Sequence, residues 1–453
     1  MSFIMRKINP SLSPEELLAE LEAFVGQNNA QARAQLQKKD PVLIAKIAQA
    51  AWKVSLALET PADVVARVFL AQPVEAITVR IACRLGVFCI LKESNRPRTV
   101  KELAEATKAD KTLLARVLRG LAAFGALKEV PVPGEQGHEI GSGYGYALAP
   151  AYELFANQGF ADGLDQCAAF LNSTYQALPD FLTATEYKDP TDPTNTAVQQ
   201  AVGEDAKGKN LLEILMARPD AARGFGILIT TCGKDNSLIQ DLYPVKERLA
   251  VRFGRDKFGL DDWQSPSKED KKEDKDADAE AVMFVDVGGC YGQRTIALKR
   301  SLPDLPGRFI VQDLPDTIEN APPAMAAEAS KLGIELMPHD FFTSQPVRGA
   351  RAYYIRQCLH NWPDEDCVTI LTYLRRAMTP EYSRLLVHEL IVPPLGAGTW
   401  MATQDFNMMA LCGTRQRTEE QWRRLLAEAG LRVTGVYFPK DGQSEGVIEA
   451  EVA

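Results

Sequence analysis

Two short stretches carry most of the chemistry legible in this chain. Met283-Phe284-Val285-Asp286-Val287-Gly288-Gly289-Cys290-Tyr291-Gly292 is an apolar run that ends in an acid and a glycine turn and opens a helix over 295–300. Phe309-Ile310-Val311-Gln312-Asp313-Leu314-Pro315 is a second apolar run ending in an acid. Strand, glycine turn, helix and strand in this order open a nucleotide-binding βαβ unit. Gly288 and Gly289 let backbone approach a ligand, because a Cβ there would take the space the ligand needs. Asp313 has two oxygens to offer to two ribose hydroxyls. NAD enzymes usually add a third glycine at fixed spacing and place the acid about 20 residues on. Here the acid comes later, in Gln-Asp-Leu-Pro, which favours a nucleoside without a pyrophosphate, S-adenosylmethionine. Taken alone, the loop also reads as a plain tight turn in an α/β sheet.

Three more apolar runs end in polar groups. Ile334 to Phe342 places Asp340 after a third strand, Ala352 to Glu365 carries Arg356, His360, Asn361 and Asp364 after a fourth, and Leu385 to Leu390 carries His388 and Glu389 on a fifth. In an open α/β sheet, ligands collect outside the carboxyl ends of the strands. From about residue 40 to the C-terminus, the order and spacing of these five motifs resemble the class I small-molecule O-methyltransferases of the caffeic acid type, especially their fungal secondary-metabolism branch. The resemblance implies that Gly288 and Gly289, with Asp286 before them, form the cofactor loop. It implies that Asp313 and Leu314 meet the ribose, that Asp340 and Phe341 hold the adenine, and that Arg356 lies beside the cofactor. By the same resemblance His360 is the catalytic base, Glu389 orients it, and Gln416 fills a third catalytic position.

The implied reaction is methyl transfer to a hydroxyl, phenolic or enolic, of an apolar secondary metabolite. The donor is already activated, so the protein must align the acceptor oxygen and remove its proton. An imidazole, with an ordinary pKa of about 6.5, suits that task at neutral pH. A carboxylate on its other nitrogen fixes the tautomer. No metal is required, and His138, His339, His360 and His388 lie in different motifs without zinc-type spacing. His339 and His388 fall in or beside apolar strands and read as satisfied structural histidines. His360 has a blander role open to it at a strand-to-helix turn, where Pro363 suits the first helical turn and Asp364 and Glu365 suit its dipole.

Three departures from the family pattern bear on the chemistry. Cys290 and Tyr291 stand where glycine and a small or basic residue are usual. Asn361 replaces an aspartate. Gln416 stands in Gly413-Thr414-Arg415-Gln416-Arg417-Thr418 where glutamate is common; an amide hydrogen-bonds a histidine but cannot stabilise an imidazolium by charge. Some fungal members of the fold use the bound sulfonium for dehydration or pericyclic ring closure instead. A non-methylating cyclase, pericyclase or dehydratase is therefore the alternative, although such relatives tend to lose the histidine that this chain keeps.

The elements that position these residues follow from composition and pattern. The chain has 453 residues, 46% hydrophobic and 25% charged, with a formal net charge of −9. That composition fits a globular protein of two or three domains and disfavours nucleic acid as a partner. No signal-peptide pattern and no run of about 18 apolar residues is present. The eight cysteines form no Cys-x-x-Cys pair, which points to a reducing cytoplasm.

The expected fold is α/β. A Rossmann-like catalytic domain spans 283–453, a charged and disordered insertion spans 251–282, and a helical substrate-pocket segment spans 151–250. Residues 1–150 read as a mainly helical winged-helix and dimerisation domain, and the resemblance implies a homodimer. Ser13, Pro14, Glu15 and Glu16 start a helix that runs to about Phe24. Thr99 and Glu102 form a capping-box pattern, and Asp110 starts a helix bearing Leu113, Leu114, Val117, Leu118 and Leu121. Residues 128–149 read as the wing. Lys111, Arg116 and Arg119 interleave with apolar residues, as on a solvated helix face rather than a DNA-reading one. Phe155, Phe160, Phe170, Tyr175 and Phe181 read either as core or as the lining of an apolar, partly aromatic acceptor pocket. Residues 264–280 hold four lysines, seven acids and no large apolar side chain, so they cannot offset their ordering entropy.

Overall fold

A computed structural model describes residues 41–94, 96–132, 143–232, 238–250, 281–439 and 445–453. The helix expected from Ser13, most of the charged insertion and the tip of the wing lie outside the described residues. The chain divides into two compact units, Met1–Asp165 and Gln166–Ala453.

The first unit contains α1 (Pro41–Ala57), α2 (Gln72–Arg84), α3 (Val87–Glu93), α4 (Val100–Thr107) and α5 (Lys111–Ala123). A three-stranded antiparallel sheet completes it, with β1 (Arg98–Thr99), β2 (Leu127–Pro131) and β3 (Tyr144–Leu148) in the order β1-β3-β2. Two helices followed by this β-hairpin make the expected winged helix. The capping box forms as the sequence suggests. Thr99 N–H donates to Glu102 at 2.9 Å, Glu102 N–H donates to the Thr99 hydroxyl at 3.3 Å, and Asp110 caps α5 through Leu113 N–H at 2.8 Å. Leu103, Leu114, Val117, Leu118 and Leu121 are buried in one core, while Leu113 points out. Farther toward the N-terminus the chain behaves differently. Leu58, Val65, Phe69, Leu70 and Ile77 are exposed, and clustered exposed apolar side chains are a mark of interaction faces.

The second unit is built on a sheet ordered β10-β11-β8-β7-β4-β5-β6, with short β9 (Arg417–Thr418) paired to β8. β4 (Val282–Val287), β5 (Arg308–Asp313), β6 (Ile334–Pro338), β7 (Ala352–Arg356) and β8 (Arg384–Val392) pair in parallel. β10 (Leu431–Tyr437) and β11 (Glu445–Val452) close one edge antiparallel. The parallel strands are near-continuous apolar runs because both faces are covered. One face packs on Leu371, Leu374, Trp422 and Leu426, from α8 (Asp364–Ala377) and α10 (Glu419–Glu428). The other packs on Ile296 and Leu298 of α7 (Gln293–Ser301). Successive crossovers leave β4 first toward β5 and β6, then toward β7 and β8. This reversal opens a crevice at the carboxyl ends of β4 and β7.

Residues after 165 share cores with the catalytic sheet's unit. Cys167, Phe170 and Leu171 of α6 (Gln158–Ala184) pack with Met408 and Leu411 of α9 (Thr399–Cys412). Phe181 packs with Ala410. Phe170 and Phe181 are therefore core residues, whereas Tyr175 is partly exposed and its hydroxyl donates to Asn407 at 2.5 Å.

Candidate active site

The turn after β7 is where the sheet stops and chemistry becomes possible. Gln357 leaves the strand at φ 52°, an uncommon backbone for a non-glycine residue, and a short 3₁₀ turn over Leu359–Asn361 presents His360. Its Nδ1 lies 2.7 Å from Glu389 Oε2, with His360 7% and Glu389 0% exposed. A carboxylate can only accept there, so Nδ1 carries a proton, and in the neutral ring the lone pair is then on Nε2. Nε2 makes no hydrogen bond among the described residues. Glu389 Oε1 accepts from the N–H groups of Cys358 and Leu359, both at 3.0 Å. One carboxylate thus fixes both the ring and the backbone that carries it.

A second segment clamps the same turn from outside. The Thr414 hydroxyl donates to His360 O at 2.6 Å, and Arg417 donates to Leu359 O at 3.2 Å and Trp362 O at 2.9 Å. Arg417 also forks onto Asp364 at the start of α8, at 2.9 and 2.6 Å. Sequence reasoning misses both Thr414 and Arg417, since they act through backbone carbonyls that no motif spacing reveals. Gln416 lies in this clamp, with its N–H donating to Asp405 at 2.7 Å. Among the described residues its buried side-chain oxygen has no partner, and no hydrogen bond joins it to His360.

On the cofactor side, Gly288 (φ +71°) and Gly289 hang their N–H groups on Gln312 O at 2.8 and 3.0 Å. The need for glycine here differs from the one argued from sequence. A Cβ on Gly288 would lie 2.8 Å from Cys358 Sγ, and one on Gly289 would lie 2.6 Å from Asp286 Cγ. The loop is thus fitted to its own chain before any ligand is considered. Cys290 adopts φ 53°, which explains why glycine suits that position.

Asp286 is buried beneath the loop and accepts from the Thr295 hydroxyl at 2.6 Å. Gly289 of the loop packs against its carboxyl. Burial pushes its carboxyl up to about 6, against the pull of Thr295 and Arg356. A raised acid holds its proton in the folded state at pH values where the unfolded chain has lost it, so its contribution favours folding below the ordinary range and is lost as pH rises toward 6. Asp286→Asn should therefore gain stability relative to the parent between pH 4 and 6, by about 3 kcal/mol at most. Denaturant unfolding of both proteins across that range checks it, and a pH-independent difference would contradict it.

Asp313 accepts from Cys290 N–H at 2.8 Å on Oδ2 and from Leu314 N–H at 2.9 Å on Oδ1. Each oxygen keeps a lone pair. Asp340 Oδ1 accepts from Phe342 N–H at 2.9 Å, and the Phe341 ring packs beside Gly288 and edge-on to Trp362. An acid with two unspent lone pairs, a glycine turn and an aromatic ring at one crevice fit a nucleoside. Arg356 follows at the end of β7, forked onto Glu445 at 2.8 and 2.6 Å.

His388 is buried with Nδ1 2.8 Å from the Tyr354 hydroxyl and Nε2 3.1 Å from Glu445, the latter in ion-pair range but off hydrogen-bond geometry. His339 and His388 both depart from the satisfied histidines expected, because among the described residues neither buried Nε2 has a hydrogen-bond partner, and burial holds both pKa values down. Among the described residues no group of three or more His, Cys, Asp or Glu side chains is arranged to hold a metal ion. No described helix is long and apolar enough to cross a membrane.

Known proteins match this arrangement along most of the chain. Residues 276–432 match the O-methyltransferase domain, and residues 75–158 match the O-methyltransferase dimerisation domain, which supports a homodimer. Demethylsterigmatocystin 6-O-methyltransferase of Aspergillus parasiticus is 35% identical over 84% of this chain and 86% of its own length. Two solved structures, described as a pericyclic reaction enzyme and as a LepI variant in complex with S-adenosylhomocysteine and a substrate analogue, superpose with TM-scores of 0.76 and 0.77. Both are 28% identical and cover 97% of this chain and 100% of theirs. With crevice, glycine loop and domain order in agreement, the chain belongs to the S-adenosylmethionine-dependent O-methyltransferases of fungal secondary metabolism.

Proposed function

We propose that this O-methyltransferase acts on a phenolic or enolic hydroxyl of an apolar metabolite, with His360 taking the hydroxyl proton. The observation that carries this reading is the His360–Glu389 pair, which ties Nδ1 and leaves Nε2 free to accept. Bound S-adenosylmethionine supplies an activated methyl group. The chain's residues do the rest: Asp313 and Leu314 receive the ribose, Asp340 and Phe341 the adenine, the Gly288–Gly289 loop over Asp286 the remainder, and Arg356 stands beside it. Gln416 lies in the segment whose Thr414 and Arg417 clamp the turn that carries the base. Incubation with labelled S-adenosylmethionine and a panel of phenolic, polyketide and pyridone acceptors tests the reading, following methyl label and substrate isomerisation together. Label on an acceptor supports it.

A pericyclic or dehydrating activity is the second reading, favoured by the likeness to the pericyclic reaction enzyme and by the neutral amide of Gln416. Isomerisation without label would establish it.

Asp313 should carry much of the cofactor's affinity, since an ionised acceptor on two hydroxyls contributes roughly 1.5–3 kcal/mol per good bond. Asp313→Ala should weaken binding at least about tenfold by calorimetry; unchanged affinity in a folded variant would place the nucleoside elsewhere. The proposed assembly is a cytoplasmic homodimer whose subunits meet through the exposed apolar face around Val65, Phe69 and Leu70. Sedimentation at micromolar concentration should give the dimer mass, and a monomer there would retire the interface.

A further inference from the structure

We propose that Glu445 is the counter-ion that allows Arg356 to stand beside a cationic cofactor, and so sets the site's preference for the sulfonium over its neutral thioether product. The inference rests on the placement of Arg356 proposed above.

Register brings the parts together. Val287 pairs with Ile355, so Arg356 comes level with the start of the glycine loop, and Arg356 pairs with His388 on the next strand. Glu445, at the first position of β11, reaches the same place from 89 residues away and takes both Nε and Nη2 of the guanidinium. Both side chains are largely buried, at 15% and 7% exposure.

Every charged group around them has a place in the balance. Arg294, in the first turn of α7, adds a second cation near Asp286, Tyr354 and Glu445. Asp286 lies under the loop with a raised pKa, and Glu389 is engaged by His360 and two N–H groups. Glu445 is therefore the carboxylate committed to Arg356. Burial alone would raise it, but His388 and Arg356 together hold it below the ordinary range. Burial lowers the pKa of His388, against the pull of Glu445, which lies 3.1 Å from its Nε2. Its Nδ1 lies 2.8 Å from the Tyr354 hydroxyl on the other side.

Charges in a partly buried site interact strongly at short range. S-adenosylmethionine and S-adenosylhomocysteine differ by one methyl group and one positive charge. An unpaired Arg356 would repel the first and leave the second almost untouched, whereas a purely structural loss would weaken both alike.

Calorimetry with both compounds on the parent, Glu445→Gln and the double variant Arg356→Met with Glu445→Met tests this. In Glu445→Gln, affinity for S-adenosylmethionine should fall about tenfold or more relative to S-adenosylhomocysteine. Removing both charges should return the ratio of the two affinities to within about twofold of the parent. Equal losses of both ligands in Glu445→Gln would overturn the inference. Removing one partner of a buried pair can unfold a protein; should Glu445→Gln not fold, the double variant decides, and a ratio displaced from the parent's overturns the idea. Arg356→Met with both affinities unchanged would instead remove Arg356 from the cofactor site, a separate failure that takes the inference with it.

Discussion

Replacing His360 with alanine should lower methyl transfer by about 10²- to 10⁴-fold while leaving cofactor affinity close to the parent's. The proposed base role implies so large an effect, since Nδ1 is tied to Glu389 and Nε2 makes no hydrogen bond among the described residues. The turn itself is fixed through its backbone, by Thr414 on the His360 carbonyl and by Glu389 on the N–H groups of Cys358 and Leu359. Loss of the imidazole thus removes a proton acceptor without removing the frame. It does strip Glu389 Oε2 of its partner in a buried place, at a cost of about 1–3 kcal/mol of stability. His360→Gln, which keeps an N–H for Glu389, should lose comparable activity with less destabilisation.

In a methyltransferase the residual rate of His360→Ala should climb with pH, since hydroxide or a pre-ionised phenolate substitutes for the base. In a pericyclase, replacing the sulfonium by S-adenosylhomocysteine should abolish or sharply lower isomerisation even with His360 present. Turnover of His360→Ala against pH, beside parent isomerisation assays with each compound, separates the two. Parent-rate methyl transfer by His360→Ala would end the base assignment.

The parts of this architecture that depend on neighbours in sequence are legible without the structure. Parallel strands buried on both faces announce themselves as apolar runs, and Thr99 with Glu102 makes its capping box within one turn of chain. The strand-end acids fall where a right-handed βαβ crossover must deliver them. What the sequence hides depends on partners far apart in the chain. Arg356 can be placed beside the crevice, but nothing near it names Glu445 as its partner, because β11 reaches β8 only after the antiparallel turn from β10. Gln312 and Gln345 exchange two buried amide hydrogen bonds at 2.9 and 2.8 Å, a pairing between residues that read separately as ordinary polar positions. The loop glycines stand out in the sequence, but the neighbours that require them, Cys358 and the Asp286 carboxylate, come from the packed structure. Gln416 shows the opposite limit: a motif position locates it in the clamp, yet motif spacing cannot say whether its side chain reaches His360.

Glu389→Gln tests the pair from its other side and should also cost about 10²- to 10⁴-fold in turnover, for a reason alanine would obscure. The amide oxygen can still accept from Cys358 and Leu359, so the turn and the cofactor loop beside it should persist, with cofactor affinity near the parent's. The amide nitrogen, however, donates where the carboxylate accepted. It would bond to an unprotonated Nδ1 and move the ring proton to Nε2, the atom that must be empty to take the acceptor's proton. The variant should therefore fold and bind but transfer methyl groups slowly. Nitrogen-15 chemical shifts of the imidazole would report the exchanged tautomer directly. The negative charge is also lost, so the imidazolium formed as the acceptor ionises has no counter-ion, and raising pH should restore less rate than in His360→Ala, where solvent base has room to enter. A folded Glu389→Gln enzyme with Nε2 still unprotonated and turnover at the parent rate would mean that Glu389 holds the backbone of the turn and nothing more.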